Sequence, residues 1–199
     1  MEEAFLYASV PYRVIGTQFF ERAEVKDIIA YIRAALNRDS LADMKRTINK
    51  PARGLGDSSV AKLFAGMRDG LSPRAKASLA TYEKILDTIK EKSEHEYPSA
   101  LVKTVLEVSG LRAEYESEGE QGVERIENVG ELATLASIYD TLPLGDGVLK
   151  FLEDAALRSD SDALAESPEG VRLLTVHASK GLEFRVVFVV GLEEGLFPH

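Results

Sequence analysis

A chain of 199 residues with 45% apolar and 29% charged residues and a net charge of −9 has the make-up of a globular protein large enough to bury a sizeable core. It has no cysteine, which excludes disulfides and thiolate chemistry, and its three histidines (His95, His177, His199) lie far apart with no metal-ligand spacing. No apolar run approaches the roughly 18 residues that cross a bilayer, and the N-terminus lacks a secretory pattern, so the chain is read as cytoplasmic with no membrane partner.

Glu2–Ser9 can form a short helix, and Tyr12–Gly16 reads as a strand behind Pro11. Phe19–Arg22 turns into a helix over Glu24–Leu36, where Val25, Ile28, Ile29, Ile32 and Leu36 share one face. Phe19 and Phe20 are read as core anchors, and Arg22, Glu24 and Asp27 as surface or helix-start charges. The acidic chain then turns locally basic. Between Lys45 and Lys76 there are eight cations (Lys45, Arg46, Lys50, Arg53, Lys62, Arg68, Arg74, Lys76) against Asp57 and Asp69. Such asymmetry suits a nucleic-acid contact, although a solvated helical face explains it equally simply.

Within that segment a helix ends near Asn49, and Pro51 prevents its continuation. Gly54-Leu55-Gly56 then makes a tight hairpin into a new helix starting near Asp57 or Ser58. Two glycines around one apolar residue at a helix N-terminus expose consecutive backbone N–H groups while Leu55 anchors the loop. That arrangement can grip a phosphate without reading bases. Lys50 and Arg53 would add charge, and Ser58 a hydroxyl. An ordinary helix–turn–helix corner is the plain alternative.

An amphipathic helix over Ser72–Lys92 turns Leu79, Tyr82, Ile85, Leu86 and Ile89 inward, and another follows Pro98 with Leu101, Val102, Val105 and Leu106. Gly110–Glu131 is acidic. Helix continues to about Tyr139, a turn with Pro143, Gly145 and Gly147 intervenes, and a last helix covers Val148–Leu157. Ser159–Gly170 is polar and turn-rich, a linker. The final stretch holds two β-branched runs, Val171–Val176 and Val186–Val190, which read as buried parallel strands joined by a helical crossover around Lys180–Phe184. Thr175, His177 and Lys180 fall at the carboxyl end of the first, where open α/β sheets hold ligands. Lys180 at a helix start is sensible if an anion sits there, Gly181 lets backbone approach a ligand, and Glu183 offers a carboxylate to a sugar hydroxyl. The simpler alternative is a strand–turn–helix–strand with Ser179 as N-cap and both charges solvated.

These residues carry a resemblance. Thr175-Val-His177-Ala-Ser-Lys180-Gly181-Leu182-Glu183-Phe184 and Gly191-Leu-Glu-Glu-Gly195-Leu-Phe197-Pro198-His199 resemble motif V and its extension in UvrD/PcrA/Rep-type superfamily 1 DNA helicases. The run Tyr12–Arg33 resembles the exit from the second RecA-like domain of that family into its inserted subdomain. Asn49–Gly56 is similar to its duplex-contacting hairpin motif, with Leu55 for the usual Ile, and Arg125–Leu132 matches a motif that holds helices together. The resemblance implies an α/β remnant of a RecA-like, P-loop NTPase-type parallel sheet with a large, mostly helical inserted domain. On that basis residues 1–19 and 171–199 are two pieces of the second RecA-like domain, 20–158 the inserted subdomain and 159–170 a linker.

No phosphate-loop motif and no strand ending in Asp-Glu occurs. The chain is therefore read as a fragment of an ATP-dependent 3′–5′ DNA helicase, with no complete catalytic set, no metal site and no ATPase activity of its own. The resemblance implies that Lys180, Gly181 and Glu183 meet ATP, that Thr175 and His177 meet single-stranded DNA, and that Lys50, Arg53, Gly54, Leu55, Gly56 and Ser58 meet duplex. ATP and Mg²⁺ are the cofactors of the intact enzyme, and DNA and a missing N-terminal RecA-like domain its partners. The alternative is a non-enzymatic DNA-binding or protein-docking module on the same scaffold.

Overall fold

The computed structural model describes residues 5, 8, 10–15, 19–164, 170–174, 179 and 182–192. The chain divides into two compact units, Gln18–Leu164 and, together, Met1–Thr17 with Ala165–His199.

The larger unit is helical, and its first helix, α1 (Ala23–Leu36), is its hub. Val25, Ile28, Ile29 and Ile32 recur at helical spacing and are buried. Tyr31, Ala34 and Ala35 are buried as well, so the helix is covered on more than one face. Around it pack α2 (Leu41–Thr47), α4 (Pro73–His95), α5 (Pro98–Val108) and α7 (Glu120–Ala136). The short α3 (Asp57–Phe64) precedes α4, α6 (Leu111–Glu116) bridges α5 to α7, and α8 (Asp146–Leu164) closes the unit. Ser72 caps α4, its Oγ accepting from Ala75 N at 3.2 Å, and Pro73 occupies the first turn, where its missing N–H costs nothing. The buried face of α4 runs Ala75, Leu79, Tyr82, Leu86, Ile89, Ser93, steps of three and four that keep one stripe inward. Leu79, Leu86 and Ile89 are each worth roughly 1.5–3 kcal/mol removed from water. The α6–α7 corner is tight enough to require Gly122. A Cβ there would lie 1.7 Å from the Tyr115 carbonyl oxygen.

The network joining α1 to α7 is polar. Glu24 and Asp27, expected as surface charges, are 6% and 3% exposed. They are buried because α7, for Glu24, and α2, for Asp27, bring partners that the sequence of α1 alone does not show. Asn128 donates to Glu24 Oε1 at 2.7 Å and accepts from Arg22, while Arg125 lies 3.9 Å from Glu24 and 3.0 Å from Glu118. Arg46 pairs with Asp27 at 2.7 Å. Residues 125–132 thus hold helices together, as their resemblance implied.

In the smaller unit, β1 (Tyr12–Ile15) and β2 (Val171–Leu174) pair in parallel with Tyr12 opposite Val171 and Ile15 opposite Leu174. Val171 N extends the ladder to Pro11 O at 2.9 Å, and the Arg172 guanidinium lies 5.7 Å from the Phe184 ring centre. Val171 and Arg172 are exposed and Leu173 and Leu174 half-buried, so β2 is not a fully buried strand. Three further expectations change. Val186–Val190 forms no strand, and its side chains are 56–84% exposed. An apolar run becomes a strand only against a neighbour, and among the described residues β2 has β1 alone beside it. Leu182–Phe184 is not helical; Leu182 N closes a turn onto Ser179 O at 3.0 Å. Ser159–Leu164, expected in a linker, continues α8, since none of these residues breaks a helix. Among the described residues no helix is long and apolar enough to cross a membrane.

Candidate nucleic-acid interface

The hairpin between α2 and α3 is held from beneath. After α2 ends at Thr47, Asn49 Oδ1 accepts from Arg53 N at 2.8 Å and from Leu55 N at 3.3 Å, folding the chain back over itself. Leu55 is 3% exposed and plugs the loop into the core. Gly54 adopts φ +72°, a left-handed conformation that favours glycine, whereas Gly56 has φ −68° and ψ 164° as the N-cap of α3. The backbone N–H groups of Gly56, Asp57 and Ser58 find no acceptor among the described residues, as expected for the first turn of a helix. A Cβ on Gly56 would meet no atom within 4 Å, so this backbone is open to an incoming group. Asp57 and Ser58 are exposed.

Arg53 does not face outward. Its Nη1 lies 3.0–3.3 Å from the carbonyl oxygens of Thr47, Ile48, Lys50 and Pro51. Its Nη2 donates to Ser109 O at 2.8 Å and to Tyr31 Oη at 2.7 Å. The guanidinium also sits 5.9 Å from the Tyr31 ring centre and 5.6 Å from that of Tyr82. Tyr31 Oη in turn donates to Lys50 O, and Tyr82 Oη meets Thr47 Oγ1 at 2.6 Å. Burial raises the pKa of both phenols, keeping them neutral donors, and the Arg53 cation offsets only part of that rise. Lys50 is half-buried with Nζ 3.8 Å from Asp27 Oδ2. Burial lifts the Asp27 carboxyl above its ordinary value even though Arg46 and Lys50 pull it down.

Much of the local positive charge is therefore already engaged. Arg46 serves Asp27, Lys62 donates to Gly70 O at 3.1 Å, and Arg68 pairs with Glu83 at 2.9 Å. Lys45, Arg74 and Lys76 are exposed, with no acceptor among the described residues. Sequence reasoning did not single out Arg74. Its Nη2 lies 3.6 Å from where a Cβ of Gly54 would stand, which puts the first turn of α4 beside the hairpin. Its place in the basic segment was visible, but the contact joins elements apart in sequence.

The structure brings Lys50, Arg53, Gly54, Leu55, Gly56 and Ser58 together in one hairpin. Of the other expected site, Thr175, His177, Lys180 and Gly181 lie outside the described residues. Glu183 is exposed, with no ion-pair or hydrogen-bond partner among the described residues.

Residues 1–199 match the family model described as UvrD-like helicase C-terminal domain. The chain is 36% identical over 223 residues to DNA helicase II of Escherichia coli (strain K12), with all of this chain and 30% of that protein covered. It is 36% identical over 221 residues to the ATP-dependent DNA helicase PcrA of Staphylococcus epidermidis and 33% over 218 residues to PcrA of Staphylococcus aureus, again covering all of this chain and 30% of each relative. The chain thus spans about a third of the length of these curated relatives. With the whole of its sequence matched, the chain belongs to the UvrD-like helicase C-terminal domain family.

Proposed function

We propose that this chain is the part of an ATP-dependent 3′–5′ DNA helicase that grips duplex ahead of the strand junction. The observation that carries this reading is the hairpin of Asn49–Ser58. A buried leucine and an internal arginine anchor it, while three successive exposed residues, Gly56, Asp57 and Ser58, carry backbone N–H groups with no acceptor among the described residues. Backbone donors at a helix N-terminus suit phosphate oxygens and carry no base information, as a helicase that opens any sequence requires. Lys50 lends field strength from its place near Asp27, and Ser58 a hydroxyl donor.

In the intact enzyme β1 and β2 would belong to the second RecA-like domain, with an N-terminal RecA-like domain as partner and ATP with Mg²⁺ as cofactors. The exposed Glu183 carboxylate, without a partner among the described residues, is suited to accept from the ribose hydroxyls. Lys180 and Gly181 would adjoin the nucleotide, and Thr175 and His177 the single strand. Bound ATP supplies the free energy for translocation, and this chain's own residues hold the ligands. Nucleotide and strand groups so close in sequence would let a single closure move both. The Mg²⁺ ligands and phosphate loop would lie outside this chain, which alone would not hydrolyse ATP. Glu183→Ala in the full-length protein should raise KM for ATP, and unchanged ATP kinetics would remove the ribose assignment.

A further inference from the structure

We propose that Arg74, and not Arg53, is the cation that meets the duplex phosphate at this hairpin, and that Arg53 is a positioning residue. This rests on the reading that the hairpin grips duplex DNA. Arg53 belongs to the hairpin and Arg74 reaches it from α4, and the two differ in what is left of their donors. Arg53 spends its guanidinium on the carbonyl oxygens of Thr47, Ile48, Lys50, Pro51 and Ser109 and on Tyr31 Oη, so little is left for a ligand. Its contacts tie the hairpin to α1 through Tyr31, to α4 through the Tyr82 ring and to the α5–α6 corner through Ser109. Only a planar fork serves so many acceptors, and a lysine ammonium in its place would leave most of these carbonyls unpaired.

Arg74 is the converse case. Its Nη2 and Nε lie 3.6 and 3.8 Å from the Cβ position of Gly54, so the guanidinium rests against the hairpin backbone. It is exposed and has no acceptor among the described residues, and the one acidic side chain of the hairpin, Asp57, forms no ion pair with it. A guanidinium resting against Gly54, two residues before the unpaired N–H groups of Gly56, Asp57 and Ser58 begin, would offer a phosphate on this hairpin a second kind of donor.

The experiment measures equilibrium binding of the full-length protein to a tailed duplex and to the single strand alone, over a series of salt concentrations, beside thermal melts. Each phosphate contact contributes about −0.9 to the log–log salt slope, so losing one weakens binding about eightfold near 0.1 M salt. Arg74→Gln should make the duplex slope shallower by about 0.9, leave single-strand binding and the melting temperature unchanged, and be rescued by Arg74→Lys, which keeps the charge. Arg53→Lys keeps its charge too, yet should lower the melting temperature by roughly 3–8 °C. If Arg74→Gln leaves the duplex slope intact while Gly56→Trp weakens duplex binding, the Arg74 assignment fails and the hairpin reading stands. If neither substitution changes duplex binding, the hairpin reading itself fails. An Arg53→Lys protein that melts normally would overturn the positioning role.

Discussion

The two glycines of the hairpin look alike in sequence and should behave differently. At Gly54 the backbone sits at φ +72°. An L-residue there costs roughly 1–2 kcal/mol, because its Cβ crowds the following carbonyl. The space itself adds nothing, since the nearest atom to a new Cβ is Arg74 Nη2 at 3.6 Å, an ordinary contact. Gly54→Ala should therefore destabilise the protein by about 1 kcal/mol or slightly more, a fall in melting temperature of about 2–4 °C for a chain of this size. At Gly56, φ −68° and ψ 164° suit any residue, and nothing lies within 4 Å. Alanine there stiffens the unfolded chain by about 0.4–1 kcal/mol, which offsets its poorer N-cap preference. The net change should stay within about 0.5 kcal/mol. Urea unfolding separates the two, and tailed-duplex binding gives the second readout. Gly56→Ala should weaken duplex binding without a stability defect, because its methyl group would stand where a phosphate approaches. Equal stabilities, or a Gly56→Ala protein less stable than Gly54→Ala, would refute the conformational argument.

Asn128→Ala removes the amide that bonds Glu24 at 2.7 Å and accepts from Arg22, leaving a carboxylate only 6% exposed short of a donor. A loss of about 2–3 kcal/mol in urea unfolding is expected, and a loss under about 1 kcal/mol would mean that water replaces the amide freely. Asp27 tests a sign. Its folded pKa is raised above 3.8 chiefly by burial, so the folded state holds the proton more tightly than the unfolded one. Its contribution to stability is greatest below the unfolded value and declines as pH rises through the window between the two. Asp27→Asn should therefore gain on the parent protein as pH rises from about 3.5 toward 7. Melting temperatures compared across that range check it, and a parent that gains on the variant instead would reverse the assignment.

What the sequence made legible was local. The stripe of α4, the proline start of α5, and the Gly54-Leu55-Gly56 turn all follow from spacing within a dozen residues or so. The misreadings share a cause. Glu24 and Asp27 look like helix-surface charges until α7 and α2 arrive with Asn128, Arg125 and Arg46. The acceptors that engage Arg53 were equally hidden, since nothing near it in sequence announces Ser109 or Tyr31. Val186–Val190 has a strand's composition, but composition does not supply the neighbouring ladder that turns an apolar run into a strand. The hairpin was readable because its groups are consecutive, whereas the acceptors of Arg53 and the place of Arg74 against Gly54 required three-dimensional neighbours.

The pairing of β1 with β2 also sets an order of events in folding. Tyr12 and Val171 are partners across the whole length of the helical unit. Closing a loop of that size in an open chain forfeits entropy that four residue pairs cannot return. The helices have mostly near-neighbour contacts and can condense first, drawing the two ends within reach. On a ribosome β1 emerges ahead of the helical segment, and its pairing with β2 must wait until Val171–Leu174 has followed.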